Sequence, residues 1–377
     1  MPVKDKVVTW WIQNIVLPKR EIIDQPGFVV TTFTEGTKRV YLRDLFLPEK
    51  LFELIENIVV ETYGFQGRQA LYSAGKKFGY IFASLSNFPT IKDTSLDEIS
   101  KFAYLLVRYI EGTYAQEAQH EVDWGKKFFS ISFDNYIICR DNGIGHIMTE
   151  GGIIGIWSFG MQDTHVEGAQ LQCQGRGDSK CVVLCGPEDE LEKTITVNFT
   201  EYDMPNLKLD ATYRNMNEIR PTKYSKNSLK NLLTAGFFSY KKGILSYKEQ
   251  RFFHCDSHIL FILEQELTSL EDGENILFNA CYEFGKLLRQ SYGKNDFVKF
   301  IPDFFSALGF GDIFVVDSHP VKISFFYFPW TTYCKDLKFL IIRGIMSGIV
   351  SDSLGKEIIF HSYDIKQEKF LTLTISQ

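Results

Sequence analysis

Apolar and small residues recur at matching places in two distant stretches of the chain. ALYSAGKKFGYIF, from Ala70, aligns without gaps on ILFNACYEFGKLL, from Ile276, with Phe78-Gly79 falling on Phe284-Gly285. In both, the apolar positions return every three to four residues, which predicts amphipathic helices. Upstream, GFVVTTFTEGTKRVYLRDLFLPEKLFELIENIV from Gly27 is similar to GFFSYKKGILSYKEQRFFHCDSHILFILEQELT from Gly236. Each reads as strand, turn, strand, helix. Downstream, FFSISF (Phe128 to Phe133) matches VKISFFYF (Val321 to Phe328), and its aromatic and β-branched content predicts strands.

A further matched pair is GGIIGIWSFG from Gly151 and RGIMSGIVSDSLG from Arg343. The shared core is G-x-x-x-G: Gly151 and Gly155 in the first copy, Gly344 and Gly348 in the second. Small residues four apart share one helix face and let a second backbone come close. Gly155→Leu is therefore expected to overpack, and Gly155→Ala to be milder. A final strand pair follows each glycine helix. The pattern divides the chain into a first unit at 27–187, a polar linker at 188–229 and a second unit at 230–377. Within the linker, KTITVNFT is a candidate extra strand. Helices mixed with mainly antiparallel strands predict an α+β fold, present as two tandem copies.

Composition narrows the function. The 377 residues allow two or three domains at roughly 100–200 residues each. A hydrophobic share of 45%, with 33 Phe and 18 Tyr, supports sizeable cores and excludes a disordered chain. The net charge of −6 is spread along the chain without a basic stripe, so nucleic acid is not an expected partner. No run approaches the roughly 18 apolar residues of a membrane span. The opening MPVKDKVVTWWIQNIVLPKR is broken by Gln13 and Asn14 and does not read as a signal peptide. Seven cysteines, an odd number in a large chain, point to a reducing compartment. A cytoplasmic location is expected, with the sequon at Asn198 idle and RGD (Arg176 to Asp178) a chance tripeptide.

Three of those cysteines, Cys173, Cys181 and Cys185, crowd into QLQCQGRGDSKCVVLCG. A polar, glycine-containing turn of seven residues between Cys173 and Cys181 suits a hairpin that brings both thiols together. Two thiolates supply half of a tetrahedral zinc site. His146, just before the glycine helix, is the leading further ligand, and Gln170 lies three residues before Cys173. Cys185, His165, Glu150 and Cys139 are reserves. The alternative is that the thiols simply pack, as free cysteines often do.

Together these motifs resemble the 4-vinyl-reductase domain family: YSAGKKFG or CYEFGK, then GxxxG, then a strand, then C-x-G-x-G-x-x-x-C. The same set occurs in the sensor halves of phenol- and xylene-responsive bacterial activators. The resemblance covers most of the chain, twice. It implies a compact unit related to TRAPP-type vesicle-tethering subunits, used mostly to bind small, often aromatic or hydrocarbon, molecules. It also implies a structural zinc beside the pocket. The implied ligand positions fall on His146, Gln170, Cys173 and Cys181; glutamine stands where the family has glutamate, and histidine where it has cysteine. In the second copy they fall on Phe339, Ser362, Ile365 and Leu373, so that unit is expected to hold no metal.

The leading functional expectation is capture of an apolar or aromatic ligand, as a binding or sensing protein. Tyr72, Phe78, Tyr80, Phe129, Phe133, Ile154, Trp157 and Phe159 are the candidate lining. The alternative is a scaffold, a pseudo-dimer of two units or a homodimer that docks a protein partner. A reductase of pigment-type substrates is the lesser reading. Neither a G-x-G-x-x-G nor a G-x-x-x-x-G-K-[ST] fingerprint is present, and no catalytic residue set stands out. Signalling, if any, would run through a protein partner.

Overall fold

Gly27 and Gly236 each precede a short strand pair, and the two pairs belong to one sheet. The computed structural model describes residues 21–375 apart from 36, 92–95, 112–113, 124, 138–143, 194–220, 242–243, 249, 293–295, 317–319, 330–336 and 367–369. Cys139, Asn198 and KTITVNFT beyond its first residue lie outside the described residues. The first half runs β1 (Glu21–Gln25), β2 (Phe28–Glu35), β3 (Lys38–Pro48), α1 (Glu49–Tyr63), α2 (Phe65–Leu85), α3 (Leu96–Glu111), β4 (Glu117–Asp123), β5 (Phe128–Asp134), α4 (Ile147–Met161), β6 (Val166–Gln172) and β7 (Cys181–Pro187). Two short helices follow, α5 (Glu188–Leu191) and α6 (Leu229–Thr234). The second half runs β8 (Ser239–Lys241), β9 (Ile244–Tyr247), β10 (Gln250–Asp256), α7 (His258–Thr268), α8 (Gly273–Tyr292), α9 (Phe297–Ala307), β11 (Asp312–Val316), β12 (Lys322–Phe326), α10 (Leu340–Leu354), β13 (Ser362–Lys366) and β14 (Phe370–Thr374).

The fold is α+β with antiparallel pairing in every sheet. A six-stranded sheet has the order β1-β2-β3-β10-β9-β8, and the seam between halves is the β3–β10 pair, from Phe252 opposite Pro48 to Asp256 opposite Asp44. Two four-stranded sheets run β4-β5-β7-β6 and β11-β12-β14-β13. One contiguous hydrophobic core passes through both halves.

The glycines decide how closely the helices approach. α2 crosses α4 so tightly that a Cβ on Gly75 would lie 2.0 Å from the Met148 carbonyl oxygen, and one on Gly155 2.1 Å from that of Lys76. At the α8–α10 crossing, a Cβ on Gly348 would lie 2.0 Å from the Tyr282 carbonyl oxygen. Only residues without side chains allow such approach, which outweighs their cost of about 1 kcal/mol in a helix. α4 carries apolar residues all round, as a helix buried on every side must.

The stretch between the halves is tied down where it rejoins the second. The Asp312 carboxylate accepts from the backbone N–H groups of Lys223 (2.7 Å) and Ser225 (2.7 Å). Asp24, from β1, accepts from Leu229 and Lys230 at the start of α6.

Candidate metal centre and adjoining cavity

The β6–β7 hairpin closes through a tight turn. Residues Gln174–Arg176 form one 3₁₀ turn, ended by Gly177 at φ +95°. The Cys173 carbonyl accepts from Arg176 (2.9 Å) and Asp178 (3.1 Å), while Asp178 accepts from the Cys173 N–H at 2.7 Å. This folds Cys181 back beside Cys173. His146 arrives at the N-cap of α4 in an extended conformation, following Gly145 at φ +89°. The ligand atoms of His146, Cys173 and Cys181 all lie within 4.8 Å of one another, and all three residues are fully buried.

This group could hold a metal ion. A tetrahedral site with bonds of about 2.0–2.3 Å needs ligand atoms roughly 3.5 Å apart, a small contraction from the observed spread. Burial pushes His146 down to about 4. The ring is therefore neutral at pH 7, the form that binds metals. Its Nδ1 meets the Thr149 hydroxyl. The Gln170 amide lies against Nε2 at 2.8 Å. Both ring nitrogens thus have a partner, and a metal ion would take the place of one of them. The Gln170 N–H donates to Glu150 Oε1 (2.8 Å), and its carbonyl accepts from Arg176 (3.2 Å).

Among the described residues, Cys185, His165 and Glu150 do not belong to this group. Cys185 faces Phe129 across the β5–β7 ladder, and burial pushes its thiol well up. His165 is exposed. Glu150, raised to about 7 by burial, holds the Gln170 N–H. In the second half, Phe339 and Leu373 are fully buried. Phe339 packs against the rings of Phe328 and Tyr363. Ser362 is exposed and Ile365 half-buried.

Beside the group lies a small cavity of about 40 Å³. α2 supplies Phe78 and Phe82, α3 Tyr109, and α4 Met148, Thr149 and Ile153. Tyr114 and Tyr136 add two rings, and the second half adds Phe253 and Ile259. The Tyr109 and Tyr114 hydroxyls are 3.2 Å apart, and burial pushes the Tyr114 hydroxyl well up. Tyr136 and Thr149 belong to both features, since the Tyr136 ring packs 4.6 Å from the His146 ring.

Of the candidate lining, Phe78 faces this cavity. The others pack around it. Trp157 stacks on Phe129 at 4.2 Å, Phe133 on Tyr136 at 4.6 Å, and Tyr80 meets Phe159 edge-on. Ile154 fills the space over Gly168. The Tyr72 hydroxyl donates to Glu167, which pairs at 2.5 Å with the buried ammonium of Lys76. Tyr109, Tyr114, Tyr136, Phe253 and Ile259 were not anticipated. The closest sequence signal is the aromatic run YLLVRYIEGTY, whose last two tyrosines converge on the cavity.

Two buried carboxylates stand at the starts of the glycine helices. Glu56, from α1, accepts from the Met148 N–H at 2.9 Å, and burial raises it to about 8. Glu264, from α7, accepts from the Lys338 N–H at 2.9 Å and from the next backbone N–H groups, and burial raises it to about 7. Helix N-termini attract such oxygens because their first N–H groups have no partner within the helix.

The chain is thus an α+β protein with a buried His/Cys/Cys group able to hold a metal ion and an apolar cavity next to it. No protein-family model matches it, and no curated protein matches it. Among solved structures it is similar to the phenol-responsive sensory domain of the transcription activator PoxR with phenol. That likeness covers 51% of this chain and 96% of that one, at 16% identity and a TM-score of 0.35. Among the described residues, no helix is long and apolar enough to cross a membrane.

Proposed function

We propose that this chain binds or senses a small, uncharged, ring-bearing molecule, with a structural zinc ion at His146, Cys173 and Cys181. The observation that carries the reading is the shared wall: Tyr136 and Thr149 line the cavity and also touch the metal-ready histidine. An apolar lining with a few hydroxyl groups suits a ligand that is mostly hydrocarbon with one polar atom. At its present size the cavity holds a few waters, so a ring enters only as Phe82 or the tyrosines turn aside. Bound zinc would cross-link the β6–β7 hairpin to the start of α4, with the Gln170 amide as the nearest further ligand. Structural zinc contributes on the order of 10 kcal/mol in small domains.

We further read 27–187 and 230–377 as two copies of one unit, joined by 188–229, in a cytoplasmic protein that passes its signal to a protein partner. The matching strand orders of the two four-stranded sheets support this. So does the presence of a glycine-mediated helix crossing in each half. The continuous β3–β10 seam favours the second reading, an intrachain pseudo-dimer acting as a scaffold.

Native mass spectrometry with elemental analysis tests the main reading. One zinc per chain is expected, lost in Cys173→Ser and Cys181→Ser. Added phenol, as a probe, should raise the melting temperature of the zinc-loaded protein more than that of the stripped one. Chelator-washed protein without metal refutes the zinc site, and an unmoved melting temperature refutes the cavity as a ligand site.

A further inference from the structure

Arg251 lies on β10 in the second half and is almost fully buried, at 5% exposure. Its guanidinium serves two masters. Nε donates to the Glu49 carboxylate at 3.0 and 2.9 Å, at the start of α1. Nη2 also lies 2.7 Å from Glu49 Oε2, and both Nη atoms reach into the first half's loop after β5. Nη1 donates to Asn135 Oδ1 (3.0 Å) and to its carbonyl (3.3 Å), and Nη2 donates to the Tyr136 carbonyl (3.0 Å).

Asn135 and Tyr136 are where the metal group and the cavity meet. Asn135 sits at φ +52°, a left-handed conformation that asparagine tolerates better than most residues. Its N–H donates to the Gln174 side chain at 2.9 Å, and the Gln174 N–H points at Cys181 Sγ at 3.4 Å. Tyr136 packs on the His146 ring and lines the cavity. Two residues beyond Arg251, on the same face of β10, Phe253 lines the cavity as well.

We propose that Arg251 is a positioning residue for this site, so that the second half completes and reads the state of the first half's centre. The proposal rests on the metal-and-cavity reading above. The fork geometry is what matters. A planar guanidinium can hold a carboxylate on one edge and two backbone carbonyls on the others, whereas a lysine ammonium is a point charge. Through this fork a shift of Tyr136, whether from metal loss or ligand entry, pulls on β10 and the seam.

The test compares Arg251→Lys, Asn135→Gly and Glu49→Gln in the full chain. The first keeps a charge beside Glu49 but loses the fork. The second keeps the backbone conformation and removes one bond of the hub. The third weakens the seam ion pair and leaves the loop bonds in place. Two readouts are taken: Co²⁺ affinity from the thiolate-to-cobalt absorbance, and amide hydrogen exchange without added metal. Arg251→Lys should lower Co²⁺ affinity by about tenfold or more, the usual effect of losing a group that orients a ligand. Asn135→Gly should lower it less, and Glu49→Gln should leave it unchanged. Exchange should quicken at Asn135–Ile137 and the first turn of α4 in Arg251→Lys, but not in Glu49→Gln. Equal effects of Arg251→Lys and Glu49→Gln on both readouts, or unchanged exchange at Asn135–Ile137 in Arg251→Lys, overturn the proposal. Wild-type protein that takes up no Co²⁺ overturns the metal reading alone. The exchange pattern then decides the role of Arg251 by itself.

Discussion

Gly155→Ala is the most discriminating single substitution in the first half. The added methyl carbon would lie 2.1 Å from the Lys76 carbonyl oxygen and 2.8 Å from the Tyr80 nitrogen. Both are backbone atoms of α2, so no side chain can turn aside to make room. The shorter contact is more than an ångström inside ordinary van der Waals distance, and α2 and α4 must separate to relieve it. A methyl group alone therefore already forces the crossing apart, and leucine would add further atoms to the same clash. Overpacking costs typically 1–3 kcal/mol, and a clash with fixed backbone belongs at about 3 kcal/mol. Alanine's better helix propensity returns about 1 kcal/mol, leaving a net loss of about 2 kcal/mol. Gly152→Ala is the internal control, because its methyl would meet nothing nearer than the Gly75 oxygen at 3.8 Å. That variant should gain up to about 1 kcal/mol. Urea unfolding, followed by far-ultraviolet circular dichroism and by tryptophan fluorescence, measures both. Buried Trp157, on the same helix, should report the change. A Gly155→Ala midpoint at or above wild type would refute the close-crossing argument, as would equal shifts in the two variants.

The buried charges give the remaining predictions. Glu56 has a folded value of about 8 against an ordinary 4.5. Its favourable contribution is fully present below about 4.5 and is lost as pH rises through 8. Glu56→Gln keeps an acceptor for the Met148 N–H but cannot ionise, so its urea midpoint should change less across that window than wild type's; equal slopes would count against it. Lys76→Met strands Glu167 in the core and should cost about 3 kcal/mol, as breaking a buried pair does. Lys76→Met with Glu167→Leu should recover most of that loss, and a double variant less stable than Lys76→Met would contradict the account.

Local signals carried the α+β class, and geometry across the chain carried the rest. The segments from Ala70 and Ile276 lie in helices because their apolar spacing suits one packed face. Phe128–Phe133 lies in a strand, and of Val321–Phe328 the residues Lys322–Phe326 do, because β-branched and aromatic residues alternate there. The approach of Cys173 to Cys181 follows from a seven-residue polar turn. The nearness of His146 does not, since nothing local fixes how α4 starts relative to the hairpin. The cavity was least legible. Its tyrosines come from α3 and from loops after α3 and β5, and part of its wall comes from β10 and α7, more than a hundred residues away. Aromatic residues on the predicted helices and strands looked equally suitable. Which of them face a void and which fill the core depends on how the elements cross. Arg251 was invisible for the same reason. A lone arginine in a strand carries no mark of a partner loop 115 residues upstream.

The two buried carboxylates separate what the helix starts require from what a metal would add. α4 and α10 both begin against a fully enclosed glutamate, Glu56 or Glu264, that accepts their first backbone N–H groups. The residue at the N-cap differs: His146 before α4, Phe339 before α10. Phe339 is held by aromatic packing and offers no ligand, yet α10 starts cleanly. The carboxylate is therefore sufficient to anchor such a helix, and a metal at His146 is not needed to form α4. On the histidine side the Thr149 hydroxyl and the Gln170 amide meet the imidazole, where the second half has the apolar Phe339. A metal ion held by His146, Cys173 and Cys181 would fix the hairpin to the helix. In this view the polar set is an exchangeable core: it stands where the second half has an apolar side chain, and it leaves Tyr136 resting on a group whose state can change.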